Sequence, residues 1–406
     1  MSHSLCKYNW STLRSYKSIT STSPNSNLIA RGPGFEDTPE LQQNSAQNIQ
    51  SNLCVSKINR ELTGEYIAGL VQADGSFSAV LCRKTRNNKE YFNLSLVFTL
   101  VQNQKYKDLI LDIQKKWGNI GHWSISNKDN AIRYQVTKQS DLLNVVIPLF
   151  MKHQLRSGKL VSFLKFKYIL EVMSSKAHIE DKKIFLSLVV IASNMNPLGK
   201  LGNKVRYLKP EQQHYVINNV QPEGLDISKL TDSIKNFKSN NLTLDFIKGL
   251  FDGDGNLTAY IVSLNKDALN FKLSMRFAFT IIQDVHSLSL LDEIKSYFNN
   301  TGTIYELNKN CSIYKVGSRS ELISIVLPKI ANKESIHLIK HRHEGLPLMK
   351  FNKIYCSCRI LELLSQDSIS EKTLHEIMEL YYYISKHSDK ITLNQFIENI
   401  RQKWLT

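Results

Sequence analysis

The chain has 406 residues, 42% of them hydrophobic, with 52 Lys and Arg against 36 Asp and Glu and a net charge of +16 at pH 7. That length allows two or three domains with ample core, and no apolar run approaches the ~20 residues of a membrane span. So large a positive excess points to a polyanionic partner, nucleic acid before an anionic membrane surface.

Residues 1–35 hold no Asp or Glu but carry Lys7, Arg14, Lys17 and Arg31 among many serines. The composition is that of an organellar transit peptide, a disordered leader or read-through from an upstream frame, and residues 1–55 are expected to lack a fixed fold. The six cysteines are scattered, with no compact secretory signal, so reduced thiols are expected.

The first predicted helix starts at Thr63, a good N-cap with Glu65 in the first turn, and runs through Ile67-Ala68-Gly69-Leu70-Val71-Gln72-Ala73-Asp74-Gly75. The pattern then switches to alternation. Phe77, Ala79 and Leu81 face a core and Ser78, Val80, Cys82 and Lys84 face outward. On the next strand Leu94, Leu96 and Phe98 oppose Asn93, Ser95, Val97 and Thr99. Gly118-Asn119-Ile120-Gly121 marks a turn, Arg133–Val136 a returning strand, and a helix begins near Asp141. Amphipathic helices are expected around 159–173 and 181–194. Residues 197–241, rich in Asn, Lys, Gly and Gln, read as a linker with a short helix near 228–238.

The series then repeats. Thr243 and Asp245 open a helix through Ile247-Lys248-Gly249-Leu250-Phe251-Asp252-Gly253-Asp254-Gly255, and Asp254 lies 180 positions after Asp74 (254 − 74). Leu257, Ala259 and Ile261 oppose Thr258, Tyr260 and Val262, and Met275, Phe277 and Phe279 oppose Ser274, Arg276, Ala278 and Thr280. A turn at Thr301–Ile304, a strand at Ile313–Val316 and a helix near Glu321 follow, with later helices around 350–364 and 371–386. Phe98-Thr99-Leu100-Val101-Gln102 matches Phe279-Thr280-Ile281-Ile282-Gln283 at offset 181. Matching over such lengths implies two homologous units, bounded here as 56–196 and 242–406.

Ending a helix on an acid is unfavourable, because the helix C-terminus carries partial negative charge; the cost is roughly 0.3–1 kcal/mol. Doing so twice at matched positions suggests that something positive belongs there. Gly69 and Ala73, like Gly249 and Gly253, lie four apart, a spacing that lets two helix backbones approach closely. Close packing would set Asp74 and Asp254 side by side, where both cannot ionise cheaply. A divalent cation removes that conflict, and hard, partly open oxygen donors suit Mg²⁺.

The paired nonapeptides, the strand–strand–helix pattern after each and the two Phe-Thr-x-x-Gln stretches resemble a two-repeat LAGLIDADG homing endonuclease of the intron-encoded organellar type, over roughly residues 58–390. The resemblance implies an α+β fold of two αββαββα repeats, a monomer with a pseudo-two-fold axis and a β saddle over DNA. It implies metal-dependent hydrolysis of double-stranded DNA across the minor groove of a long asymmetric target, in service of group I intron mobility. Asp74 and Asp254 would hold Mg²⁺ or another divalent ion such as Mn²⁺. Gln102 and Gln283 would order water around the phosphate, and Lys159 and Lys340, with Arg156 and Arg342 competing for the role, would stabilise the transition state. The same fold also carries intron RNA-splicing maturases and DNA binders that do not cut. The implied compartment is the mitochondrion, or alternatively the chloroplast, with no membrane partner.

Base reading is assigned to the outward strand faces: Ser78, Val80, Cys82, Lys84, Arg86, Asn93, Ser95 and Thr99 in the first unit, and Thr258, Tyr260, Val262, Ser274, Arg276 and Thr280 in the second. A two-stranded ribbon fits the major groove and reaches base edges there.

Overall fold

The computed structural model describes residues 62–193, 195, 230, 234, 237, 239–267, 270–336, 349–385 and 391–405. The leader, nearly all of the linker and Lys340 lie outside the described residues, and Arg86 is described in its backbone only. Among the described residues no helix is long and apolar enough to cross a membrane.

Each unit follows one order. The first runs α1 (Gly64–Asp74), β1 (Gly75–Arg86), β2 (Lys89–Asn103), α2 (Lys107–Lys116), β3 (His122–Ser126) and β4 (Ala131–Val136). A composite helix follows, Gln139–Asp141, a π-helical stretch Leu142–Val146 and Ile147–Lys152, and then α3 (Ser157–Ser174) and α4 (Lys182–Ser193). The second runs α5 (Leu244–Asp254), β5 (Gly255–Asp267), β6 (Asn270–Asp284), α6 (Leu288–Tyr297), β7 (Thr303–Asn308) and β8 (Cys311–Val316), then a composite helix with the same π-helical stretch at Leu322–Val326. It ends with α7 (Phe351–Leu363), α8 (Glu371–Ile384) and α9 (Leu393–Leu405), the last not foreseen. The strand orders are β1-β2-β4-β3 and β5-β6-β8-β7. The two αββαββα repeats are therefore present, with antiparallel pairing throughout.

Both motif helices begin as the sequence dictates. The Thr63 and Thr243 hydroxyls accept from the amides of Tyr66 (3.1 Å) and Phe246 (3.3 Å). The same hydroxyls donate across to the partner helix, Thr63 to Asp245 at 2.8 Å and Thr243 to Glu65 at 3.3 Å. Along the seam, a Cβ placed on Gly69 would fall on the Phe246 carbonyl, and one on Gly249 on the Tyr66 carbonyl. Only glycine fits where two backbones come this close. The helices end without a left-handed residue: Gly75 and Gly255 are extended (φ −87° and −83°), so each chain passes straight from an acid into a strand.

The alternation is borne out on β1 and β2, where Phe77, Ala79, Leu81, Leu94, Leu96 and Phe98 are buried. Phe77 sits 5.3–5.6 Å, ring centre to ring centre, from Phe98, Phe150, Phe163 and Phe166. In the second unit Phe251 stacks on Phe279 at 4.9 Å. On β5 the alternation breaks. Between Ile261 and Ser263 the β5–β6 register shifts, so Val262 is the extra residue of a bulge and is not part of a regular outward face. Cys82, Cys356 and Cys358 are free thiols as expected, whereas Cys311 is disulfide-bonded.

Candidate active site

The two helix-end carboxylates do meet. The Asp74 carboxylate lies against Gly253 of the other unit, its Oδ2 2.9 Å from where a side chain there would begin. Gln102, buried at the end of β2, donates from Nε2 to Asp74 Oδ2 at 2.8 Å; Gln283, buried at the end of β6, donates to Asp254 Oδ2 at 2.7 Å. Each carboxylate is thus aimed by an amide from its own sheet, which is the juxtaposition that the matched Phe-Thr-x-x-Gln stretches foreshadow.

The unfavourable helix ends have a local remedy. Lys159 Nζ, on the first turn of α3, donates to the Gly75 carbonyl at 2.5 Å. Lys350 Nζ donates to the carbonyls of Phe251 (2.8 Å), Gly253 (3.1 Å) and Gly255 (2.6 Å). Both ammonium groups sit at the C-terminal ends of the motif helices, where the dipole favours a cation.

Burial and the neighbouring Asp74 push the Asp254 carboxyl up to about 7, against the pull of Lys350, Lys159 and the Gln283 hydrogen bond. Burial pushes the Lys159 ammonium down, while Asp254, Asp284 and Asp74 hold it up. Burial likewise raises Asp252, which accepts from the amides of Met349 and Lys350 and from the Tyr66 hydroxyl.

A stability signature follows from Asp254. With its folded pKa raised, the native state keeps a proton that the unfolded chain has lost between the ordinary carboxylate range and about 7. Stability of the metal-free protein should therefore fall as pH rises through that window and level off above it. Thermal midpoints from about pH 5 to about pH 8 check this: Asp254→Asn should flatten the decline, and millimolar Mg²⁺ should reduce it by competing with the proton.

Lys159 and its second-unit equivalent separate from the expectation. The helix that pairs with α3 is α7, and the two are anchored alike. Arg156, the N-cap of α3, donates its amide to Gln72 Oε1 at 2.9 Å; Lys350, the N-cap of α7, donates its amide to Asp252 Oδ1 at 2.8 Å. Three residues past each cap stand Lys159 and Lys353, an offset of 194 (353 − 159) and not 181. Lys353 Nζ lies 3.0 Å from Asn256 Oδ1, the residue after Gly255. The sequence reading did not single out Lys350 or Lys353, which stand at the end of α5 on the helix anchored like α3.

On the outer strand faces, Ser78, Val80, Cys82, Asn93, Ser95 and Thr258 are half-buried, as is Val262 of the bulge, and Lys84, Tyr260, Ser274 and Arg276 are exposed. Tyr260 and Arg276 face each other across β5 and β6. Thr99 and Thr280 depart from the expectation: both are buried, Thr99 accepting from Gln135 Nε2 at 3.2 Å and Thr280 donating to the Asn256 carbonyl at 3.3 Å. They have the outward parity but lie where each sheet meets the motif helices, so their hydroxyls serve the sheet. The same parity brings Arg133 and Gln135 of β4 and Lys315 of β8 to the outer face, none of them in the original set.

The donor chemistry fits a hard divalent cation. Two adjacent carboxylates, one of them held off its normal ionisation, are a charge conflict that such an ion relieves. No group of three or more His, Cys, Asp or Glu side chains gathers among the described residues. The remaining ligands would be water and phosphate oxygens, the usual Mg²⁺ habit.

A family model described as LAGLIDADG endonuclease matches residues 67–170 and 247–345, together half of the chain. A probable intron-encoded DNA endonuclease 1 of Mycosarcoma maydis is 27% identical over 65% of this chain and 90% of its own. A probable intron-encoded endonuclease 2 of Neurospora crassa is 24% identical over 79% of this chain and 64% of its own. Among solved structures, the I-LtrWI LAGLIDADG homing endonuclease bound to target DNA superposes with a TM-score of 0.63 at 20% identity, over 80% of this chain and 97% of that one. The I-SmaMI LAGLIDADG homing endonuclease bound to cleaved DNA gives 0.61 at 19% identity, over 81% and 98%. At such identities these likenesses speak for the fold.

Proposed function

Because the chain belongs to the LAGLIDADG endonuclease family, we propose that it is a site-specific homing endonuclease that cuts both strands of an asymmetric DNA target. The observation that carries this reading is the pair of helix-end carboxylates, Asp74 and Asp254, brought together on one seam and each aimed by a glutamine. A protein that only bound DNA would gain nothing from two acids set side by side at helix ends.

In this reading Asp74 and Asp254 hold the divalent cation, Mg²⁺ or Mn²⁺. Bound there, such an ion would polarise a phosphoryl oxygen, lower the pKa of a water and offset charge on the leaving oxygen. Gln102 and Gln283 keep the two carboxylates in place, because an acceptor already engaged at one oxygen cannot rotate freely. Lys159 and Lys353 supply the positive charge that meets a scissile phosphate, as a preorganised electrostatic clamp. Lys84, Tyr260, Ser274 and Arg276, with Arg133 and Lys315, face the bases and phosphates; because the two sheets present different side chains, the half-sites should differ in sequence. The +16 charge makes binding strongly salt-dependent. The acid-free leader and the intron-encoded relatives support an organellar, mitochondrial setting and a group I intron as host. One chain with two units acts as a monomer.

The test uses a duplex selected from a randomised pool by binding to the full chain. Incubated with Mg²⁺ or Mn²⁺ it should be cut on both strands, and with EDTA it should remain bound and intact. A duplex that is bound tightly but never nicked in either metal would overturn the nuclease reading in favour of a binder.

A further inference from the structure

Plain alternation from Leu257 onward would bring every even-numbered residue of β5 to the outer face, Val262, Leu264 and Lys266 included. The bulge reverses this. Past it Ser263 pairs with Ser274, Leu264 with Leu273, Asn265 with Lys272 and Asp267 with Asn270. Ser274 lies on the outer face, and its partner and every second residue after it therefore do too: Ser263, Asn265 and Asp267. Leu264 turns inward and is 1% exposed, and the Lys266 ammonium lies 5.8 Å from the centre of the buried Phe271 ring. One inserted residue thus takes a leucine and a lysine off the outer face and sets a serine and an asparagine there.

This outer end of the ribbon is backed from within. The Phe271 amide donates to the Ile369 carbonyl at 2.8 Å, and α8 and α9 pack against β5. Asn265 is exposed, and among the described residues its side-chain amide makes no hydrogen bond. The charges beside it are spent on each other, Lys272 Nζ lying 2.8 Å from Asp267 Oδ2. The corresponding end of the first ribbon is different in kind. Lys84 is exposed and Arg86 pairs with Lys89, so three basic positions share that outer face, while Phe92 on the inner side is 41% exposed. Cations hold phosphates whatever the sequence, whereas a neutral amide on a supported strand can tell one base from another.

We propose that Asn265 is a specificity-determining residue, reading an adenine through the major groove at the outer end of the half-site bound by the second unit. The pairing is bidentate: Oδ1 accepts from adenine N6 and Nδ2 donates to N7, a pattern that no other base presents in that groove. Asn265 stands opposite Lys272, four residues along β6 from Arg276. At about 3.3 Å per residue its base lies ~13 Å, or roughly four base pairs, farther from the carboxylates than the one that Arg276 faces. This rests on the DNA-binding part of the reading above.

The experiment selects duplexes from the randomised pool with the full-length wild type, Asn265→Ala and Asn265→Asp, and sequences what each binds. Wild type should enrich adenine at one outer position of one half-site. Asn265→Ala should lose ~10-fold or more of that preference, with the choice at every other position kept. Asn265→Asp leaves only acceptors, so the preference at the same position should pass to cytosine, whose N4 donates; a residue that merely shaped the ribbon would not redirect a base choice. No adenine preference at the outer end in wild type, an Ala variant whose losses spread evenly over the target, or an Asp variant that still favours adenine would overturn the assignment and leave the nuclease reading intact. A wild type that enriches no sequence overturns the DNA-binding reading instead.

Discussion

Asp254→Asn should lower cleavage by ~10³-fold or more, about 4 kcal/mol of barrier, with DNA affinity little changed. The replacement keeps the shape of the side chain and its place beside Gln283, whose amide now donates at 2.7 Å to a carboxylate oxygen and can donate to the asparagine oxygen instead. What disappears is the negative charge that a cation needs. The same change should not harm the fold. Asp254 is held near 7 by burial and by Asp74, so removing its charge relieves a conflict, and the metal-free variant should melt at or above wild type near neutral pH. Asp74→Asn should behave alike in cleavage. Single-turnover cleavage, binding in Ca²⁺ and a melting curve for each variant separate the three quantities. A variant that still cuts both strands at wild-type rate would remove these carboxylates from the chemistry.

The largest structural effect is expected at the seam. Gly249→Ala would place a methyl on the Tyr66 carbonyl and the Leu70 amide, and Gly69→Ala on the Phe246 carbonyl and the Leu250 amide. These are backbone atoms in the middle of helices and cannot swing aside, so the helices must part. A loss of about 3 kcal/mol or more is expected for either change, at the upper end of overpacking costs. Gly158→Ala is the control: its methyl would meet nothing nearer than His286 Cβ at 3.4 Å. Urea denaturation of the three variants checks this, and unchanged midpoints for the seam pair would mean that the helices do not pack as described. Because the seam also sets the distance between Asp74 and Asp254, the same substitutions should impair cleavage in any molecule that remains folded.

Much of this was legible before any coordinates. The duplicated nonapeptide and the alternation after it pointed to the motif helices, the β ribbons, the core phenylalanines and the meeting of the two helix-end acids, because each rests on a period or a repeat. What escaped has physical causes. The bulge between Ile261 and Ser263 carries no glycine to announce it. Thr99 and Thr280 have the right parity, but parity gives the face of a strand and says nothing of depth beneath a neighbouring helix. Lys340 was reached by carrying a constant offset past the composite helix, where the second unit holds extra residues before α7; the anchoring amides of Arg156 and Lys350 locate the equivalent lysine at 353. The Tyr66–Asp252 contact joins residues 186 positions apart, with no local pattern at all.

The crossed bonds at the head of the seam, Thr63 to Asp245 and Thr243 to Glu65, bear on how such molecules could be recombined. Each motif helix is completed by a carboxylate that the other one carries, so neither half is a finished part. A chimera that joins one unit of this chain to a foreign partner inherits an obligation at every crossing point: an acid in the partner's first turn, a glycine facing its own, and a buried carboxylate if it brings Tyr66. On the proposed function, strand faces that read different targets could be exchanged only between halves whose seams are complementary in this way.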